Sequence, residues 1–278
     1  MALDEVDVLV STEWVDQHKY DNNIQLVEVD EDTGAYGTGH IETAVFWNWS
    51  TELNDQIQRD ILTPEQIADL LGKSGITPES IIVLYGDNNN WFAAFAYWQL
   101  KMFGHRNVCI MDGGRVKWEQ ENRSYTTKIP KIEQVVYPVK AAEKSARAMA
   151  PDVLKSLERE ETALVDVRSP EEYTGEIIAP EGMMETAQRG GHIPGAANIP
   201  WHWATNDDGT FKSTEELQKL YKEQGVTSDK DVITYCRIGE RAAHTWFALH
   251  ELLGYENVRN YDGSWTEWGS MIGMPVAK

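Results

Sequence analysis

The chain has 278 residues, 41% of them hydrophobic, and its 45 acidic against 25 basic side chains leave a formal net charge of −20. That length suits one large domain or two of ordinary size, with enough apolar material for a real core. The acidity argues against nucleic acid and membrane surfaces as partners, because no basic stripe is present to neutralise phosphates; an anionic substrate would need its own local positive charge.

In chain order, residues 24–29 form a short apolar run that reads as a buried strand. Gly39-His40-Ile41 marks a turn before a second short strand at 44–47, and Thr63-Pro64-Glu65-Gln66 carries the signals of a helix start. A strand at 81–85 leads through a loop into an apolar helix, and a last short strand ends at Asp112-Gly113. The polar stretch from about 128 to 147, with Pro130 and Pro138, reads as a linker. The same order then recurs: a strand at 163–167, Gly191-His192-Ile193, a strand at 196–199, a helix start at Ser213-Thr214-Glu215-Glu216, a strand at 232–235, a helix over 241–253, and Asp262-Gly263. Residues 81–114 align on 231–264 without a gap at an offset of 150, matching Tyr85 with Tyr235, Gly104 with Gly254 and Asp112-Gly113 with Asp262-Gly263. Strands alternating with helices predict an α/β fold in two tandem copies, each a mostly parallel sheet with helices on both faces. The expected division is a first domain at 1–128, a linker at 129–147 and a second domain at 148–278.

Only two cysteines are present, Cys109 and Cys236, which excludes a disulfide framework or a four-cysteine zinc site; no metal or cofactor is expected. Cys109 lies within a strand and reads as a plain, partly buried thiol. Cys236 lies where the strand at 232–235 meets the following helix, the place where open α/β sheets bind ligands. Backbone N–H groups, the helix dipole and the charges of Arg237 and Arg241 all favour thiolate there, so a pKa below the free value of roughly 8.5 is expected. The equivalent residues of the first copy are Gly86, Asp87 and Trp91, so one site per chain is expected. The Cys-x4-Arg spacing is one residue shorter than the Cys-x5-Arg loop of cysteine phosphatases, and a tighter cradle suits a single sulfur atom better than a phosphate.

These residues resemble the rhodanese family of thiosulfate sulfurtransferases, and among them the actinobacterial type. The resemblance rests on the tandem layout, on Val165-Asp166-Val167-Arg168-Ser169-Pro170-Glu171-Glu172-Tyr173, on Gly191-His192-Ile193-Pro194-Gly195-Ala196, on the Cys236-Arg237-Ile238-Gly239 loop and on Asn260-Tyr261-Asp262-Gly263-Ser264-Trp265. It implies that the Cys236 thiolate takes the outer sulfur of thiosulfate, releases sulfite, and passes the sulfur from a persulfide to cyanide or to a small-molecule or protein thiol. The loop Arg237, Ile238, Gly239, Glu240, Arg241 would cradle the persulfide, with the two arginines steering the anion and Glu240 turned to solvent. Asp166 would orient the loop or an arginine, and Arg168 would share its neighbourhood. Where vertebrate-type members carry a second arginine this chain has Glu172, so Arg189, in an insert at 175–190 found only in the second copy, is expected to supply the missing cation. The alternatives are a 3-mercaptopyruvate sulfurtransferase, whose loop typically reads Cys-Gly-Ser-Gly, and a persulfide carrier or binding module without turnover. No run of roughly 18 apolar residues is present to span a membrane, and the acidic Met1-Ala2-Leu3-Asp4-Glu5 lacks a secretory signal's basic start. A soluble, cytoplasmic protein is therefore expected.

Overall fold

The computed structural model describes residues 6–182 and 187–278. The N-terminal pentapeptide read above for targeting, and residues 183–186 of the insert, lie outside the described residues.

The chain divides into two compact units, one of residues 1–143 with 207–210, the other of 144–206 with 211–278. The first unit runs β1 (Leu9–Val10), α1 (Thr12–His18), β2 (Ile24–Asp30), α2 (Thr33–Thr38), β3 (Val45–Asn48), α3 (Trp49–Glu52), α4 (Pro64–Lys73), β4 (Ile81–Tyr85), α5 (Trp91–Met102), β5 (Val108–Met111) and α6 (Gly114–Gln120). The second runs α7 (Ala150–Ser156), β6 (Thr162–Asp166), α8 (Pro170–Thr174), β7 (Ala197–Asn198), α9 (Thr214–Glu223), β8 (Asp231–Tyr235), α10 (Glu240–Phe247), β9 (Val258–Asn260) and α11 (Ser264–Trp268). Their sheets have the orders β1-β5-β4-β2-β3 and β7-β6-β8-β9, with every strand pair parallel. All five residues of β4 are buried, as are the last four of β8. A strand buried along its whole length must be covered on both faces, which is why these runs are continuously apolar rather than alternating.

The helix-start signals act as read. Thr63 and Ser213 cap α4 and α9 with reciprocal hydrogen bonds to Gln66 and Glu216 at the third helical position. The helix expected over 241–253 starts one residue earlier and widens into a π-helical turn at Ala248–Leu252, where the Leu253 N–H donates to the Ala248 carbonyl at 3.1 Å. Of the segment read as a linker, residues up to 143 lie against the first unit as a strap, and 144–147 belong to the second. The Val135 N–H donates to the Gly72 carbonyl, the Glu143 N–H donates to that of Met102, and buried Tyr137 meets His105 at 2.9 Å.

The duplication extends to side-chain details. Tyr36 stacks on His40 at 3.7 Å, and Tyr173 on His192 at 3.6 Å. The tyrosine hydroxyls closing β4 and β8 accept the N–H groups of Ile41 and Ile193, each at 3.1 Å. In both copies the histidine Nδ1 lies 2.9 Å from a backbone carbonyl in the helix before it, that of Tyr36 or of Tyr173. His192 therefore has a structural counterpart in the copy without a cysteine.

Candidate active site

β8 ends at Tyr235, and the next residue, Cys236, is fully buried. The Cys236 N–H donates to Ser264 Oγ at 3.1 Å and its carbonyl accepts the Trp265 N–H at 3.0 Å. These bonds pin the residue to the start of α11, while the chain turns back sharply enough for the Gly239 N–H to donate to Cys236 Sγ at 3.0 Å. Gly239 closes the turn with φ +102°, and a Cβ added there would lie 2.8 Å from Asp262 Cα, so the position needs glycine on both counts. Its carbonyl accepts the Asn260 side-chain N–H at 3.1 Å. Asp262 is itself held by a two-pronged contact from Arg147, both bonds 2.8 Å. α10 begins at Glu240, so the sulfur sits at a helix N-terminus, with the Ala242 amide also directed at it.

The charges around the sulfur differ from the expected arrangement. Glu240 is buried rather than turned to solvent, and its Oε2 lies 3.4 Å from Cys236 Sγ, as the acceptor of the thiol proton. Arg241 is engaged from the other side. Its two terminal nitrogens donate to Glu172 Oε2 and Oε1 at 2.9 and 3.1 Å, with Nε 3.6 Å from Glu240 Oε1. Arg241 holds the buried Glu172 carboxyl below the usual carboxylate range, against the opposing effect of burial. Burial and then the charge of Glu240 push the Cys236 thiol up to about 11, outweighing Arg241 and the Ala242 and Gly239 amides. The thiol pKa is thus raised where the motif predicted a fall, because desolvation disfavours the charged form more than two amides and an already paired arginine favour it.

The remaining expected residues fall in three places. Arg237 is buried in the loop and its carbonyl accepts the Thr266 N–H, while Ile238 is half-buried beside it. Asp166 and Arg168 are both fully buried and form a pair in which Arg168 Nη2 donates to Asp166 Oδ2 at 2.6 Å and to the Gly191 carbonyl at 2.8 Å, its guanidinium 4.6 Å over the Trp265 ring. The first unit builds the same pair from other positions. There Arg115, which aligns with Trp265, donates to Glu28 Oε1 and to the Gly39 carbonyl, each at 2.8 Å, with its guanidinium 4.6 Å over Tyr125. A pair rebuilt in a copy that lacks the cysteine belongs to the fold. Arg189 is not brought to the sulfur. Its guanidinium donates to four main-chain carbonyls, those of Trp268, Gly269, Met271 and Met274, at 2.8 to 3.0 Å, and so clamps the C-terminal segment.

Glu172, Asn260 and Ser264 are the site residues that sequence reasoning missed. Glu172 carried one signal, as the third helical position of the Ser169 capping box; its tie to Arg241, 69 residues away, had none. His244 lies one helical turn beyond Glu240, stacked on Phe211 at 4.5 Å, and both its ring nitrogens lack a hydrogen-bond partner. Burial pushes its pKa down to about 3, so it stays neutral. Cys109, also buried, is pushed up to about 12 by burial alone.

The equivalent loop of the first unit is filled by its own side chains. Asn88, Asn89 and Asn90 all have left-handed φ, between 50° and 68°. Asn90, at the position of Glu240, accepts the Gly86 N–H at 3.0 Å, and Asp30 accepts that of Asp87 at 3.0 Å. A Cβ on Gly86 would lie 2.2 Å from the Val29 carbonyl oxygen. Among the described residues, no group of three or more His, Cys, Asp or Glu side chains is placed to hold a metal ion, and no helix is long and apolar enough to cross a membrane.

The description "Rhodanese-like domain" matches this chain twice, over residues 11–121 and 149–271. The chain belongs to the rhodanese family. Rhodanese relatives span nearly all of it. A protein of Haloferax volcanii named "Putative thiosulfate sulfurtransferase" is 54% identical over 98% of this chain and 96% of its own length. One of the same name from Mycolicibacterium smegmatis is 51% identical over 97% of each chain. "Sulfur carrier protein TtuD" of Thermus thermophilus is 50% identical over 98% of this chain and 97% of its own. Among solved structures, the 3-mercaptopyruvate sulfurtransferase SseA of Escherichia coli superposes with a TM-score of 0.80 at 27% identity, covering 94% of this chain and 99% of that one. YnjE, at 23% identity and a TM-score of 0.86 over 98% of this chain and 68% of its own, shares the fold.

Proposed function

We propose that this protein is a thiosulfate sulfurtransferase that carries sulfane sulfur as a persulfide on Cys236. The observation that carries the reading is the cradle itself: a single sulfur atom at a helix N-terminus, contacted by the Gly239 N–H at 3.0 Å, in a Cys-x4-Arg loop one residue shorter than that of cysteine phosphatases. The Cys236 sulfur attacks the outer sulfur of thiosulfate, the donor S–S bond breaks, and sulfite departs with the bonding pair. An acceptor, cyanide in an assay or a thiol in a reducing cytoplasm, then takes the outer sulfur. Arg237, set directly after the nucleophile, is the residue assigned to the sulfonate of the donor; Arg241, paired with Glu172, supports the loop.

Exposure to thiosulfate is expected to add the mass of one sulfur to the intact protein, mapping to Cys236, and to give turnover with cyanide that exceeds turnover with 3-mercaptopyruvate. Cys236→Ser is expected to lose both the added mass and the turnover; normal activity in that variant would sink the assignment. The carrier reading has one observation in its favour, the Thermus relative named as a sulfur carrier. It is selected over catalysis if sulfur loads on Cys236 while neither donor turns over.

A further inference from the structure

The Cys236 thiol donates to the buried carboxyl of Glu240. Cys236 is fully buried, and its thiol is pushed up to about 11. A thiol of that kind is a poor nucleophile at neutral pH, and its thiolate is a poor leaving group when the persulfide must be given up. Both half-reactions therefore need a proton acceptor and donor in contact with the sulfur. His244 stays neutral, stacked on Phe211 and out of hydrogen bonding. Glu172 is bound in both of its oxygens by Arg241, and Asp262 by Arg147. Glu240 is different: it is buried, one oxygen faces Arg241 Nε at 3.6 Å, and the other lies 3.4 Å from Cys236 Sγ.

We infer that Glu240 is a catalytic residue that shuttles the proton of Cys236, as base when sulfur is loaded and as acid when it is unloaded. The inference rests on the persulfide reading above. In loading, the thiol proton moves to Glu240, the thiolate forms the new S–S bond to the donor's outer sulfur, and the donor's own S–S bond breaks with its electron pair on sulfite. Glu240 then returns the proton to the terminal sulfur of the persulfide. In unloading, an acceptor thiol gives its proton to Glu240 and bonds to the outer sulfur. The Cys236 S–S bond breaks with its pair on Sγ, which takes the proton from Glu240, and the acceptor leaves as a hydropersulfide that keeps the proton already on the outer sulfur. The proton stays within the buried group formed by Cys236, Arg237, Glu240, Arg241 and Glu172, whose net charge does not change as the thiolate forms. The acceptor that gains most from this device is one that brings a proton to lose, a thiol rather than cyanide.

The test is single-turnover transfer from persulfide-loaded protein to dithiothreitol at neutral pH, with loading checked by intact mass, in wild type, Glu240→Gln and Glu240→Asp. Glu240→Gln is expected to slow transfer by about 100-fold, the low end of the usual worth of a positioned proton donor. The same substitution is expected to speed alkylation of unloaded Cys236 by iodoacetamide, since the charge that raises the thiol pKa is gone. A purely structural role would not split the two rates in opposite directions. Glu240→Asp keeps the charge but withdraws the carboxylate, and is expected to lose transfer without gaining alkylation. Transfer that rises with alkylation in Glu240→Gln, or wild-type transfer in Glu240→Asp, overturns the inference alone. Wild-type protein that gains no sulfur from any donor overturns the persulfide reading, and this inference with it.

Discussion

At the scale of single residues, the identity of a buried partner decides what each charge does. Arg241 looked like a substrate cation because it follows the cysteine by five positions. In the fold it is the buried partner of Glu172. Removing one member of such a pair strands the other charge in a low-dielectric site, at a cost of about 3–5 kcal/mol. Glu172→Gln is therefore expected to lower unfolding stability by that amount, measured by urea denaturation. It should also make Cys236 more acidic, because Arg241 would then act on the sulfur uncompensated; an unchanged alkylation profile would remove Glu172 from the electrostatics of the site. Arg168 and Arg189 teach the same lesson. Both were legible as arginines near the motif, yet one is spent on Asp166 and the other on four carbonyls.

At the scale of elements, two strand–loop–helix units of like sequence have loops with unlike interiors. In the second unit the turn from β8 into α10 leaves room for a sulfur atom under the Gly239 amide. In the first, the turn from β4 toward α5 is wound left-handed through three asparagines and its amides are taken by Asn90 and Asp30. Asparagine is among the few residues that tolerate this conformation, which is why the run is built from it. The loss of the site is therefore not a matter of one missing cysteine. Gly86→Cys is expected to destabilise the first unit, since its Cβ would meet the Val29 carbonyl, and to leave the thiosulfate-dependent mass gain at one sulfur. A gain of two sulfurs would show that the degenerate loop can still open.

At the scale of the whole molecule, buried carboxyls set the pH dependence of stability, and they act in opposite directions. Burial pushes Glu28 of the first unit up to about 7, above its ordinary 4.5, in spite of Arg115. The folded state therefore keeps a proton that the unfolded chain releases, and the stability this supplies is complete below 4.5 and lost as the pH rises to about 7. Glu172 of the second unit is held low, so its contribution is present above the ordinary value and lost on acidification. Thermal unfolding followed from about pH 4 to 8 should show the Glu28 contribution as a fall between 4.5 and 7 that Glu28→Gln flattens. A fall of equal size in the variant would place its origin elsewhere.

Much of this protein was legible in its sequence because the deciding patterns are local or internal to the chain. Short apolar runs between capped helices read as parallel α/β, and the gap-free offset of 150 exposed the duplication and showed that Cys236 aligns with a glycine of the first copy. Those signals depend only on periodicity and on comparing the chain with itself. Tertiary structure alone decided the chemistry around the sulfur. Whether Glu240 faces water or Sγ, whether Arg241 is offered to a donor or bound by Glu172, and whether the thiol is made more or less acidic all depend on desolvation and on partners up to 69 residues apart. A motif specifies which charges are present in a loop; the packing around the loop sets which of them are already paired and how strongly burial opposes the ones that are left.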